Sequence, residues 1–222
     1  MMKLFLEAVA KGFAGFVLMG AMLFWPAGTL DYPGARLFLL LLFVPMAIMA
    51  VVMSVKSPEL LRKRLDMKEK RATQKGVVGL AGLLLVLCFP LSGLDFRFGW
   101  SSLPGWVSPA AGVLLVISYG LYAEVMRENA WLSRTVEVQE GQQVVDTGLY
   151  GLVRHPMYFA TTLLFLSIPL VLGSLPGLVC MLPYPLLMAA RIKDEEALLC
   201  KELPGYEAYR RKVKWRMLPF VW

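Results

Sequence analysis

One histidine and three cysteines are all that 222 residues offer for soft-ligand or thiol chemistry. Cys88, Cys180 and Cys200 are odd in number and stand in no CxxC or Cys/His spacing. A disulfide framework and a metal site are therefore not expected. Cys88 and Cys180 lie in apolar runs, as small core residues do. Charge is also scarce: 18% of residues, against roughly 25% in soluble domains. There is no motif for a serine or cysteine nucleophile and no phosphate loop, internal repeat or low-complexity tract. The opening Met-Met-Lys-Leu-Phe-Leu-Glu has no basic cluster ahead of a short apolar core, so no cleaved signal peptide is expected. What the chain does have is apolar surface. With 58% apolar residues and a mean hydropathy of +0.61, it is not a disordered chain and does not read as a water-soluble globule.

The net charge of +7 is clustered. Lys56 to Lys75 hold eight basic residues, Arg191 to Arg216 eight, and Arg127 to Arg154 three. These clusters alternate with long apolar runs, which points to an anionic membrane surface and not to nucleic acid. Four uncharged runs approach or exceed the roughly 20 residues that cross a bilayer: Gly12–Leu30, Leu37–Val55, Gly76–Leu94 and Phe98–Ala123. A fifth, Met157–Ala190, has 34 uncharged residues and is broken by Gly173, Ser174, Pro176 and Gly177. It reads as a helical hairpin, Met157–Leu172 and Leu178–Ala190, with Pro169, Pro183 and Pro185 as kink sites. The second arm can lengthen into Arg191–Leu203. Both crossing and re-entrant forms of this hairpin fit its length.

The expected fold is all-α: a polytopic membrane bundle of five to six membrane helices, including a C-terminal helical hairpin, with a small cytoplasmic cap. It divides into an N-terminal four-helix part, 1–126, and a C-terminal part, 127–222. The positive-inside rule orients it. With Lys56–Lys75 in the cytoplasm, 21 of the 23 basic residues face inward, and both termini are cytoplasmic. Outward loops then carry only Asp31, Arg36, Asp95 and Arg97.

Two polar segments fall on that inner side. In 136–158, Val136/Val138 and Val144/Val145 alternate around Glu140-Gly141, which suggests a short hairpin. Thr147-Gly148 turns the chain, and Pro156 suits the first position of the next helix. Arg154 and His155 then sit at a helix N-terminus, whose N–H groups favour a carboxylate or phosphate. In the second segment, Arg191 and Glu195 share a helix face at i, i+4, with Ile192 and Glu196 beside them. That helix ends near Leu203-Pro204-Gly205, and a basic, aromatic tail follows. The hairpin's ends must be neighbours, so His155 and Tyr158 should lie near Arg191 and Glu195. Taken singly, each has a plain structural reading: a hydrogen-bonding histidine, a helix salt bridge, an interfacial aromatic anchor.

Taken together, Gly148-x-Tyr150-x-x-Val153-Arg154-His155-Pro156-x-Tyr158, the hairpin, Arg191-x-x-x-Glu195-Glu196-x-x-Leu199 and Tyr206-x-x-Tyr209-x-x-x-Val213-x-x-Arg216-x-x-Pro219 resemble a known pattern. It is that of the isoprenylcysteine carboxyl methyltransferase and phospholipid methyltransferase group of integral membrane enzymes. The resemblance covers about residues 130–222. It implies S-adenosylmethionine as methyl donor. His155, Pro156, Met157 and Tyr158 would line the cofactor pocket, with Tyr150, Gln142, Gln143, Val144 and Val145 against it. Glu195 and Glu196 would contact the cofactor. Arg191 and Glu195 would carry the catalytic roles, Arg191 holding a lipophilic acceptor that arrives from the bilayer. Ala160 stands where the family commonly has Gly. A carboxylate acceptor would need no general base, whereas a lipid amine would require Glu195 or Glu196 to take a proton. Two other readings compete: an NADPH-dependent membrane sterol or steroid reductase, echoed by Asp194-Glu195-x-x-x-x-Cys200, and a non-catalytic membrane scaffold.

Overall fold

A computed structural model describes residues 2–56, 72–132 and 138–222. Every regular element among them is helical: α1 Met2–Ala27, α2 Pro33–Lys56, α3 Ala72–Phe98, α4 Val107–Glu128, a 3-10 turn Gly148–Gly151, α5 Pro156–Val171, α6 Leu175–Met181, α7 Tyr184–Glu202 and α8 Tyr206–Lys212. Five stretches are long and apolar enough to cross a membrane: Val9–Ala27, Pro33–Val52, Lys75–Phe98, Val107–Glu128 and Leu175–Glu202. Large side chains such as Phe13, Trp25, Leu40, Ile48 and Leu83 are exposed along them, as lipid-facing residues are. The chain is an integral membrane protein. Most of the basic segment 56–75 lies outside the described residues.

The helices form two compact units, built from interleaved parts of the chain. The first comprises 1–68, 84–115 and 166–181. Its core contains Leu23, Tyr32, Phe38, Cys88, Phe89 and Leu115. Small residues allow close backbone approach, as is common between membrane helices. A Cβ on Gly34 would lie 2.7 Å from the Val171 carbonyl oxygen, and one on Gly93 2.6 Å from that of Leu23. The C-terminal end of α5 leaves carbonyls that no further turn can satisfy. Tyr32 Oη donates to the Leu172 carbonyl at 2.6 Å, and Ser108 Oγ to that of Val171 at 2.6 Å. Gly173, at φ 74°, then turns the chain.

The expected hairpin is present, with one difference. Its second arm is two helices, because Pro183 has no N–H to carry α6 onward and instead precedes a new helix, α7. That helix runs on to Glu202, through the polar stretch. Span four begins at Val107, not Phe98. Asp95, 2% exposed, accepts from Ser101 N at 2.8 Å and Ser101 Oγ at 2.6 Å and so holds the intervening segment out of the helix.

The second unit comprises 69–83, 116–165 and 182–222. Leu203, Tyr206, Tyr209 and Val213 form a core, with Val138, Val144, Leu199 and Cys200 packed on it. The short strand pairing expected around Glu140-Gly141 is absent among the described residues. Val136 lies outside them. The turn itself is present, with Gly141 at φ 73°. Glutamine side chains hold it: Gln139 N donates to Gln142 Oε1 at 2.9 Å, and Gln139 Nε2 to the Trp131 carbonyl at 2.6 Å.

Candidate functional site

A pocket opens within the second unit. Pro156 starts α5, as expected, and brings His155, Met157 and Tyr158 to one wall. Helix α7 supplies Arg191, Glu195, Leu198 and Leu199. Residues Gln142, Gln143, Val144 and Val145 form another side, with Tyr150 from the 3-10 turn. The two ends of the hairpin therefore meet, although more than thirty residues separate them. Sequence reasoning did not place Asn129, Trp131, Leu132, Leu203, Tyr206 and Tyr209 in the lining. Tyr206 and Tyr209 carried a signal, the Tyr-x-x-Tyr spacing of the tail. Asn129 carried none.

At the centre is a hydrogen-bonded chain. Arg191 Nε donates to Tyr158 Oη at 2.9 Å, and Tyr158 Oη donates to Glu195 Oε2 at 2.5 Å. The Arg191 guanidinium also lies 5.9 Å from the Tyr158 ring centroid. One phenol thus orients a cation and an anion together. Arg191 is 7% exposed, whereas the Glu195 side chain is 23% exposed and opens onto the cavity. The nearest nitrogen of His155, Nδ1, is 4.0 Å from Glu195 Oε1.

Glu196 and Pro156 do not line the pocket. Glu196 is buried and meets two guanidinium groups, with Arg154 Nε at 2.6 Å and Arg216 Nε at 2.8 Å, and a ring nitrogen of His155 at 3.3 Å. Arg154 Nη1 also donates to the carbonyls of Val213 and Lys214. The backbone makes the same junction. Arg154 N donates to the Trp215 carbonyl at 2.9 Å and His155 N to that of Arg216 at 2.7 Å. The tail has therefore taken up the N–H groups of the two residues that lead into α5. Arg216 thus supports the segment before α5 through its carbonyl and Glu196 through its side chain.

The 3-10 turn is placed by Glu128, whose carboxylate accepts from Leu149 N at 2.9 Å. Gly148 has φ 50°, and a Cβ there would overlap that carboxylate. Tyr150 Oη accepts from Asn129 Nδ2 at 2.9 Å, and Tyr209 Oη donates to the Tyr150 carbonyl at 2.8 Å. Burial pushes the Tyr150 phenol up to about 12, and the Tyr206 and Tyr209 phenols higher still. All three stay neutral across the physiological range. At the rim, a hydrogen bond from Lys212 Nζ at 2.7 Å holds the exposed Asp146 carboxyl below its usual range.

Residues 106–203 match the family model described as phospholipid methyltransferase. The fold is similar to that of the eukaryotic intramembrane Ras methyltransferase, isoprenylcysteine carboxyl methyltransferase. The TM-score is 0.56 at 16% identity, over 96% of this chain and 77% of that one. Among curated proteins, the Delta(14)-sterol reductase TM7SF2 of Mus musculus is 31% identical over 96 residues, covering 40% of this chain and 22% of its own length. The cobalt-zinc-cadmium resistance protein CzcN of Cupriavidus metallidurans is 31% identical over 130 residues, 58% of each chain. The Delta(14)-sterol reductase of Methylotuvimicrobium alcaliphilum is 27% identical over 93 residues, covering 40% of this chain and 22% of its own. The chain thus spans between about a fifth and three-fifths of the curated relatives it matches.

Proposed function

We propose, from the match of residues 106–203 to the phospholipid methyltransferase family model, that this protein is an S-adenosylmethionine-dependent membrane methyltransferase with a lipophilic acceptor. The observation that carries the reading is the Arg191–Tyr158–Glu195 chain at the pocket wall. The residues present fit the donor molecule. Its sulfonium and ammonium are cationic, and Glu195 opens a carboxylate onto the pocket beside the rings of Tyr158 and Tyr150. Val144, Val145, Met157 and Leu199 offer apolar contact for the rest. Bound there, the molecule supplies a methyl group for in-line displacement, a reaction that depends mainly on positioning and desolvation.

The protein's own residues then have separate tasks. Glu195 attracts and orients the cationic end. Arg191, its Nε fixed by Tyr158, orients the acceptor. A prenylcysteine-like carboxylate would pair with its guanidinium and needs no base. A phospholipid amine would instead lose a proton, and Glu195 is the carboxylate in the pocket that can receive it. The acceptor arrives laterally from the bilayer, and the pocket faces the cytoplasm, as do both termini.

A nicotinamide-dependent reductase is the second reading, favoured by the two sterol reductase matches. It needs cations for a phosphate-bearing cofactor. Arg154, one of the two arginines in the lining, is already held by Glu196 and two carbonyls. Calorimetry on detergent-purified protein, offering S-adenosylmethionine and NADPH separately, decides between them. Binding of the first alone supports the methyltransferase, and binding of the second alone overturns it. Transfer of a labelled methyl group to a panel of prenylcysteines and lipids then identifies the acceptor. A scaffold would bind neither cofactor.

A further inference from the structure

Tyr206 opens α8 directly after Gly205, which turns the chain at φ 85°. Its ring packs in the core with Leu203, Tyr209 and Val213, and it lines the pocket at only 4% exposure. Its hydroxyl is buried and has no hydrogen-bond partner, the one such buried side-chain oxygen or nitrogen among the described residues. The other phenols of this wall are engaged: Tyr158 with Glu195, Tyr150 with Asn129, and Tyr209 with the Tyr150 carbonyl. A buried hydroxyl without a partner is destabilising, and a phenylalanine ring would fill the same space without that penalty. Burial also holds this phenol in its neutral form, which can donate.

We propose that Tyr206 Oη is a ligand-binding donor, giving its hydrogen bond to an acceptor atom of the molecule that occupies the pocket. This rests on the methyltransferase reading for the identity of that molecule. The pocket then offers two complementary groups. Glu195 presents an anion to the cationic end, and Tyr206 presents a donor to an acceptor elsewhere on the same molecule. A ligand that carries both an ammonium or sulfonium and acceptor oxygens or ring nitrogens fits this pair. A purely cationic or purely apolar ligand leaves the Tyr206 hydroxyl unsatisfied.

The test is calorimetric binding of S-adenosylhomocysteine to the wild type and to Tyr206→Phe in detergent, with thermal unfolding of both ligand-free proteins. The expected result is about 3- to 30-fold weaker binding by Tyr206→Phe. Its ligand-free unfolding midpoint should be unchanged or higher, because no bond is lost. Repeating the pair with methylthioadenosine, which lacks the amino-acid end, locates the acceptor. A loss that persists assigns it to the nucleoside, and a loss that disappears assigns it to the carboxylate. Equal affinities, or a lower midpoint without a change in affinity, overturn the proposal while leaving the cofactor assignment intact. No binding by the wild type overturns the cofactor assignment, and this inference with it. Should Tyr206→Phe not fold, incorporation of a ring-fluorinated tyrosine at 206 makes the same measurement by altering the acidity of the hydroxyl. Affinity that follows that acidity supports the contact, and unaltered affinity overturns it.

Discussion

Glu195 and Glu196 are adjacent on α7, and a helical step of about 100° sends them to different surroundings. Glu196 faces two arginines and a histidine in the interior, whereas Glu195 meets Tyr158 at the cavity. Glu196→Gln should therefore destabilise the protein by about 3 kcal/mol, since buried cations would lose their counter-charge. Thermal or denaturant unfolding in detergent measures this. On the proposed function, Glu195→Gln should leave stability near wild type and weaken S-adenosylmethionine binding by at least about tenfold. A reversed pattern in the two variants would refute this division of roles. Tyr158→Phe removes the hydroxyl that joins Arg191 to Glu195. On the same reading, its kcat/KM for methyl transfer should fall about 10- to 100-fold while the folded protein persists, because the two charged groups lose their shared orientation. The buried phenols also set an alkaline limit. Tyr150, Tyr206 and Tyr209 ionise in the folded state only above their ordinary value. Their contribution is complete below about pH 10 and is lost as pH rises beyond it, by up to about 1.4 kcal/mol per group and pH unit. Unfolding free energy should be insensitive to these groups from pH 7 to about 9.5 and fall steeply above about 10.

At the scale of elements, apolar length and proline position made most of the helices legible. Pro156 starts α5, Gly173 turns the hairpin and Leu203-Pro204-Gly205 ends α7, each for a backbone reason visible in the residue itself. What sequence reasoning missed depends on partners distant in the chain. Nothing in Ser101 or Asp95 alone shows that they bind each other and delay α4. Likewise, the Val144-Val145 pair suggests a strand, yet the Val144 side chain packs against a helical core. Gly148 is the element-scale position where two constraints coincide, a left-handed backbone and a carboxylate where a Cβ would stand. Gly148→Ala should displace Glu128, loosen the 3-10 turn and cost about 1–3 kcal/mol of stability together with ligand affinity. An unaltered unfolding midpoint would show that Glu128 can move aside freely.

For the whole molecule, the segregation of basic residues is the ground for the proposed orientation, and an introduced label tests it. Glu207 is exposed on α8. Glu207→Cys should react with a membrane-impermeant maleimide in inverted vesicles and not in intact cells. Labelling from outside would reverse the topology. The pocket was largely legible because the hairpin must return its ends to one place, and ten of the residues singled out for it do line it. Glu196 was legible as important but not as structural, since its cations come from two segments, one of them the tail.

That tail junction bears on how the protein is made. The backbone N–H groups of Arg154 and His155 and the carboxylate of Glu196 all find partners within residues 215–216. A ribosome must translate all of the helices described above before it reaches those codons. Insertion into the bilayer can thus be finished while the segment that carries His155 into the cavity still lacks its support. Nascent chains released just before Trp215 should reside in the membrane normally and capture no donor molecule.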